Sequence, residues 1–176
     1  ERGTPGKWTP VEAAQAMFRR IGLDRDVPVV VYTGTGLFKG WGDGLEQTMV
    51  AYSLVRFGHD QVYVLDGGLD KWLEERRSTS QVFPKVEESA FQAEVRSDLF
   101  VDYETFKDMK DDDDVVLLDA RPANVYAGEG PWIRNGHIPG AVNLPWTSLM
   151  SGGNTRLLKP KEEIVRIVEE RGATKD

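Results

Sequence analysis

LLDARPANVYAGEGPWIRNGHIPGAVNLPW, residues 117–146, carries two local signals. It continues the apolar run VVLLDA (115–120), which has no polar alternation and stops at Asp119-Ala120-Arg121. That is the pattern of a strand buried on both faces in a parallel sheet. Gly136-His137-Ile138-Pro139-Gly140 then reads as a turn, and the residues up to Trp146 as a short strand. A strand covered on both faces needs helices above and below it, so the stretch points to the α/β class.

Working outward, YETFKDMKD (103–111) reads as a short helix, and the acidic run Asp111 to Asp114 as a solvated turn. KPKEEIVRIVEERGATKD (159–176) ends the chain as a helix. Towards the amino end, VPVVVY (27–32) and QVYVLDGG (61–68) are two more apolar runs of the buried-strand type. Helices are expected from Val11 to Ile21, with Pro10 at the start and Gly22 at the end, over LEQTMVAYSLVRFG (45–58), and over LDKWLEER (69–76). Gly67 and Gly68 suit a turn that needs positive φ. Residues 78–100 mix Ser, Pro and charge and read as a linker, with a possible edge strand in FQAEV.

The last helix repeats the first. At an offset of 150 with no gap, Pro10 matches Pro160, Glu12 matches Glu162, Gly22 matches Gly172 and Asp26 matches Asp176. Proline first and glycine last is general helix punctuation, but the constant offset suits a duplicated domain.

Composition narrows the partners. Net charge is −7, and the 22 basic residues are scattered rather than clustered, which argues against nucleic acid. No apolar run approaches the roughly 18 residues that cross a bilayer. The sequence contains no cysteine, so it has neither disulfide nor thiol nucleophile. The two histidines, His59 and His137, are too far apart in sequence to suggest a metal site, and no cofactor is implied. The chain begins at Glu1 rather than Met, as a processed product or excised piece would. The compartment stays open between the cytoplasm and, after signal removal, export to a periplasm.

The glycine-rich loop after VPVVVY invites two nucleotide readings, and both fit poorly. Gly34, Gly36 and Gly40 are spaced GxGxxxG rather than GxGxxG, and Gly42 and Gly44 prolong the loop. A phosphate-binding Walker loop fails because Lys39 is followed by Gly40 where Ser or Thr would reach the metal.

Asp119-Ala120-Arg121, Tyr126-x-Gly128 and Gly136-His137-Ile138-Pro139-Gly140-Ala141, with Asn143 and Pro145, resemble the rhodanese family of sulfurtransferases. VVVYTGTG and VLDGGLDKW with Trp72 resemble the segment around that family's active-site loop. The resemblance implies an α/β fold with a doubly wound, mostly parallel sheet and helices on both faces. The halves stand in reversed order here. The expectation is therefore the C-terminal half of one domain (1–77), a linker (78–100) and the N-terminal half of a second (101–176), as in the middle of a tandem sulfurtransferase. A circularly permuted, complete domain is the other arrangement, and it pairs with a non-catalytic binding or regulatory role. Uncovered half-domain surfaces would associate with the rest of the parent chain or with a second copy.

In this family a cysteine thiolate sits in a ring of backbone N–H groups that lower its pKa and hold the persulfide. The resemblance puts that cysteine at Thr33, and threonine cannot carry a sulfane sulfur. The loop Thr33, Gly34, Thr35, Gly36 is thus expected to be degenerate, with the working cysteine beyond Asp176. The implied substrate is a small anionic sulfur donor such as thiosulfate or 3-mercaptopyruvate. Asp119 and Arg121 have two readings: they orient the catalytic loop or substrate, or they form a strand-end ion pair. His137 is an acid or base, or it bonds to backbone. Arg134 could attract the anionic donor. Tandem members carry an arginine four residues after the motif's own, where this chain has Val125, so thiosulfate specificity is not assured by these residues.

Overall fold

The computed structural model describes residues 9–35, 45–131 and 133–174, which fall into two compact units, 1–100 and 101–176. The Gly36 position and the rest of the glycine-rich loop lie outside the described residues.

In the first unit α1 (Val11–Arg20) leads to β1 (Val29–Val31), α2 (Leu45–Arg56), β2 (Val62–Val64) and α3 (Gly68–Glu74). The two strands are parallel, with Val29, Val30 and Val31 opposite Val62, Tyr63 and Val64. Their core faces meet one cluster made by Ala14 and Phe18 of α1, Leu23, Leu54 of α2, Phe57 and Phe91, against which Val29, Val31 and Val62 pack. Phe18 sits edge-on to both Phe57 and Phe91, at centroid distances of 5.8 and 5.6 Å. Such pairs add to area burial because the positive ring edge meets a negative ring face.

The strands are shorter than the apolar runs that announced them, and within these residues one of their faces packs on the core cluster. Val30 is 56% and Tyr63 55% exposed. The reason is alternation: Val29 and Val31 point into the single cluster built by α1, α2 and the returning chain, and the residue between them points away from it.

Residues 89–96, read as linker and possible edge strand, form no ladder. They lie back across the first unit instead. Glu94 and Arg96 donate their N–H groups to Phe57 O (3.1 Å) and Arg56 O (2.8 Å), carbonyls at the C-terminal end of α2, where the last carbonyls need donor partners from outside the helix. Arg19 Nε donates to Phe91 O (2.7 Å), and the Ala93 N–H reaches Gln15 Oε1 (3.0 Å). His59, fully buried, stacks near Phe91 and is held by Asp24 O (3.0 Å) and the Gln61 N–H (3.2 Å).

The second unit contains α4 (Tyr103–Met109), β3 (Leu118–Asp119), α5 (Ala123–Tyr126), β4 (Val142–Asn143), β5 (Met150–Ser151), β6 (Asn154–Leu158) and α6 (Lys161–Glu169). The Asp102 side chain caps α4 by accepting from the Thr105 N–H at 2.8 Å. β3 and β4 are parallel, and the pairing extends past the ladder through Val142 N–H to Leu117 O and Trp146 N–H to Ala120 O. β5 and β6 form an antiparallel hairpin about Gly152, a feature the sequence reading did not assign although Ser-Gly-Gly-Asn is a turn signal.

The repeated helix is repeated in conformation as well. Pro10 (φ −54°, ψ 147°) and Pro160 (φ −52°, ψ 142°) precede α1 and α6, and Gly22 (φ +71°) and Gly172 (φ +86°) follow them. A proline is pre-set for the φ of a helix start and loses no helical donor there, while a glycine adopts the left-handed turn that ends it.

Candidate functional site

Four of the residues singled out in sequence, Asp119, Arg121, Arg134 and His137, line one open groove of about 780 Å³ in the second unit, together with Tyr103 and Ile138. The end of β3 sets its floor. Asn143 of β4 donates through Nδ2 to both Asp119 O and Arg121 O, each at 2.9 Å, and so fixes the corner where the chain leaves the strand.

Within that corner Asp119 clasps Arg121. The carboxylate accepts from the Arg121 backbone N–H (3.0 Å) and from Nε (2.9 and 3.1 Å), and it also pairs with Nη2. Nη2 donates in addition to Gly136 O at 2.9 Å, which ties the strand end to the Gly-His turn. The side chain of Asp119 is 10% exposed. Hydrogen bonds from the Arg121 guanidinium, then its backbone N–H and its charge, hold the Asp119 carboxyl below the usual carboxylate range, against the opposing effect of burial; the charge of His137 adds a little. Arg121 is correspondingly raised by Asp119.

His137 is placed by Tyr126 of α5. The two rings stack with centroids 3.7 Å apart and planes 9° from parallel, and His137 Nδ1 lies 2.9 Å from Tyr126 O. A carbonyl only accepts, so Nδ1 carries the proton and Nε2 is the nitrogen left for other partners. Tyr126 Oη in turn donates to Ala141 O at 2.8 Å, locking the turn to the short helix. Arg134 is exposed at the groove and forms no ion pair among the described residues. Among the described residues lining the groove, Arg121 is paired with Asp119 and Arg134 stands exposed. Val125 is half-buried in α5.

The residues assigned to the degenerate loop lie in the first unit. The Thr33 N–H and Oγ1 face Gln47 Oε1 of α2 at 3.3 and 3.4 Å, and Thr33 O accepts from the Leu69 N–H (2.8 Å). Thr35 gives its N–H and its hydroxyl to the Asp70 carboxylate at 3.0–3.2 Å. Gly34 lies against Leu69, whose Cβ would stand 2.9 Å from any Cβ added there. Gln47 and Asp70 were not foreseen, because partners 14 and 35 residues away leave no local signal.

The rhodanese-like domain model matches residues 4–75 and 102–174. The 3-mercaptopyruvate sulfurtransferase of Escherichia coli K12 is 30% identical over 174 residues, which cover 95% of this chain and 57% of the relative. The thiosulfate sulfurtransferase of Corynebacterium glutamicum is 32% identical over 159 residues, 82% of this chain and 50% of the relative. The crystal structure of SseA, an Escherichia coli 3-mercaptopyruvate sulfotransferase, superposes with a TM-score of 0.77 at 27% identity, over 93% of this chain and 59% of that one. The chain thus spans about half the length of the relatives it matches. Matched by the family model in both units and similar to a rhodanese structure over nearly its whole length, the chain belongs to the rhodanese-like family and has its α/β fold.

Proposed function

We propose that these residues are the middle of a tandem sulfurtransferase: the C-terminal half of one rhodanese-like domain, a connection, and the N-terminal half of the next. Support comes from the helix repeated at an offset of 150 with the same proline start and glycine end, and from the partial coverage of the relatives. The whole protein moves sulfane sulfur from a small anionic donor, thiosulfate or 3-mercaptopyruvate, to cyanide or a thiol. With thiosulfate, a cysteine thiolate attacks the outer sulfur, the S–S bond breaks, and sulfite departs with its electron pair. Cyanide then takes the outer sulfur of the persulfide as thiocyanate and the thiolate returns.

That thiolate is absent from these residues, and we place it beyond Asp176, shortly after a strand resembling VPVVVY. The contribution of this chain is the groove, where Arg134 receives the donor anion and the Asp119–Arg121 clasp holds the turn that carries His137. The observation that carries this reading is the convergence of those four side chains on one groove in a rhodanese-like unit. The absence of cysteine also favours a second reading, a non-catalytic binding module.

The test is a thiosulfate titration followed by backbone amide shifts, run beside a thiocyanate assay. Saturable shifts at Arg121 and residues 134–138, weakened about two- to fivefold by Arg134→Ala as for an exposed ion pair, are expected without turnover. Thiocyanate formed by this chain, or shifts confined to other regions, would overturn the proposal.

A further inference from the structure

In the described part of the loop that follows β1, the N–H groups of Thr33 and Thr35 are already in use. The carboxylate of Asp70 stands where the N–H and hydroxyl of Thr35 converge, and Gln47 Oε1 faces the N–H and hydroxyl of Thr33. An N–H and an O–H meeting on one carboxylate are, in chemical terms, an anion site with a ligand bound.

We propose that Asp70 is a built-in anion that occupies the Thr35 N–H and hydroxyl, so that these donors are closed to external anions and the carboxylate would disfavour a thiolate even if a cysteine were restored at Thr33. Loss of the nucleophile is then only part of what separates this loop from a working one. Gln47 acts in the same direction. It is 2% exposed and presents an acceptor oxygen to the Thr33 side chain, and an acceptor stabilises a protonated thiol rather than its anion.

Because the chain has no cysteine, Thr33→Cys installs a single reporter thiol. Its alkylation rate is measured against pH with neutral iodoacetamide and with anionic iodoacetate, with and without Asp70→Asn. With Asp70 present, the thiol should titrate at or above the ordinary value of about 8.5. Asp70→Asn should lower the midpoint by about one unit, as expected on removing a nearby like charge. It should also raise the ratio of iodoacetate to iodoacetamide rates roughly fivefold. A midpoint well below the ordinary thiol value with Asp70 in place, or no response to Asp70→Asn, would overturn the proposal.

Thr33→Ser, which keeps the hydroxyl, controls for folding. Should Thr33→Cys not fold, sulfate is titrated into the otherwise unaltered chain and into Asp70→Asn. Saturable movement of the Thr35 amide in the variant alone supports the proposal; equal behaviour of the two overturns it.

Discussion

Two phenylalanines in one irregular stretch offer a direct test of how the first unit is held together. Phe83 is 94% exposed and Phe91 is 3% exposed, although both lie in the segment whose composition reads as linker. Replacing Phe91 by Ala removes a ring packed edge-on against Phe18 and stacked near His59, in a cluster fixed by hydrogen bonds on both sides. Phe→Ala in such surroundings costs about 3–5 kcal/mol, combining the lost transfer free energy with the cavity left behind. Roughly 0.5–1.5 kcal/mol of that belongs to the aromatic pairing itself. Domains are stable by about 5–15 kcal/mol, so the first unit should lose roughly a fifth or more of such a margin. Phe83→Ala should change stability by no more than about 0.5 kcal/mol, since it uncovers nothing. Urea unfolding of the full chain, with amide hydrogen exchange to separate the two units, measures both. Equal effects of the two substitutions, or a cost below about 1 kcal/mol for Phe91→Ala, would show that residues 89–96 are a tether and not part of the core.

Two further outcomes are expected. Asp119 has a folded-state pKa below its ordinary value, so its clasp contributes stability above the ordinary carboxylate range and loses it as pH falls through the folded value. The stability difference between the chain and Asp119→Asn should therefore be largest near neutrality and shrink on acidification; a difference independent of pH would refute the assignment. Gly22→Ala should destabilise the first unit by at least about 1–3 kcal/mol in thermal or urea unfolding. The residue sits at φ +71°, and the added Cβ would lie 2.1 Å from Val86 Cγ1. An unchanged midpoint would show that this turn relaxes freely.

Much of the architecture was legible in the sequence because its determinants are local. Proline and glycine set the ends of α1 and α6 through their own φ preferences, and the helix repeated at an offset of 150 kept the same backbone at both ends. Asp119, Arg121, Arg134 and His137 were legible as a set because they fall within nineteen residues of a strand-turn-strand segment, and a parallel pairing of Leu118 with Val142 closes that segment on itself. Both readings of His137 met one geometry: its Nδ1 is spent on Tyr126 O, and its other nitrogen remains.

Tertiary structure decided what depends on distant parts of the chain. An apolar run such as VPVVVY shows that a strand is buried, but which residues meet which partners depends on what packs above and below: within these residues Val29 and Val31 meet the cluster of α1 and α2, and Val30 and Tyr63 point away from it. Composition gave Phe83 and Phe91 the same status; only the path of the chain over α1 and α2 separates them. The state of the Thr33–Thr35 loop was likewise invisible, since Gln47 and Asp70 arrive from other elements. Periodicity and turn chemistry act over a few residues and can be read along the sequence, whereas burial and hydrogen-bond satisfaction are settled only when separated segments meet.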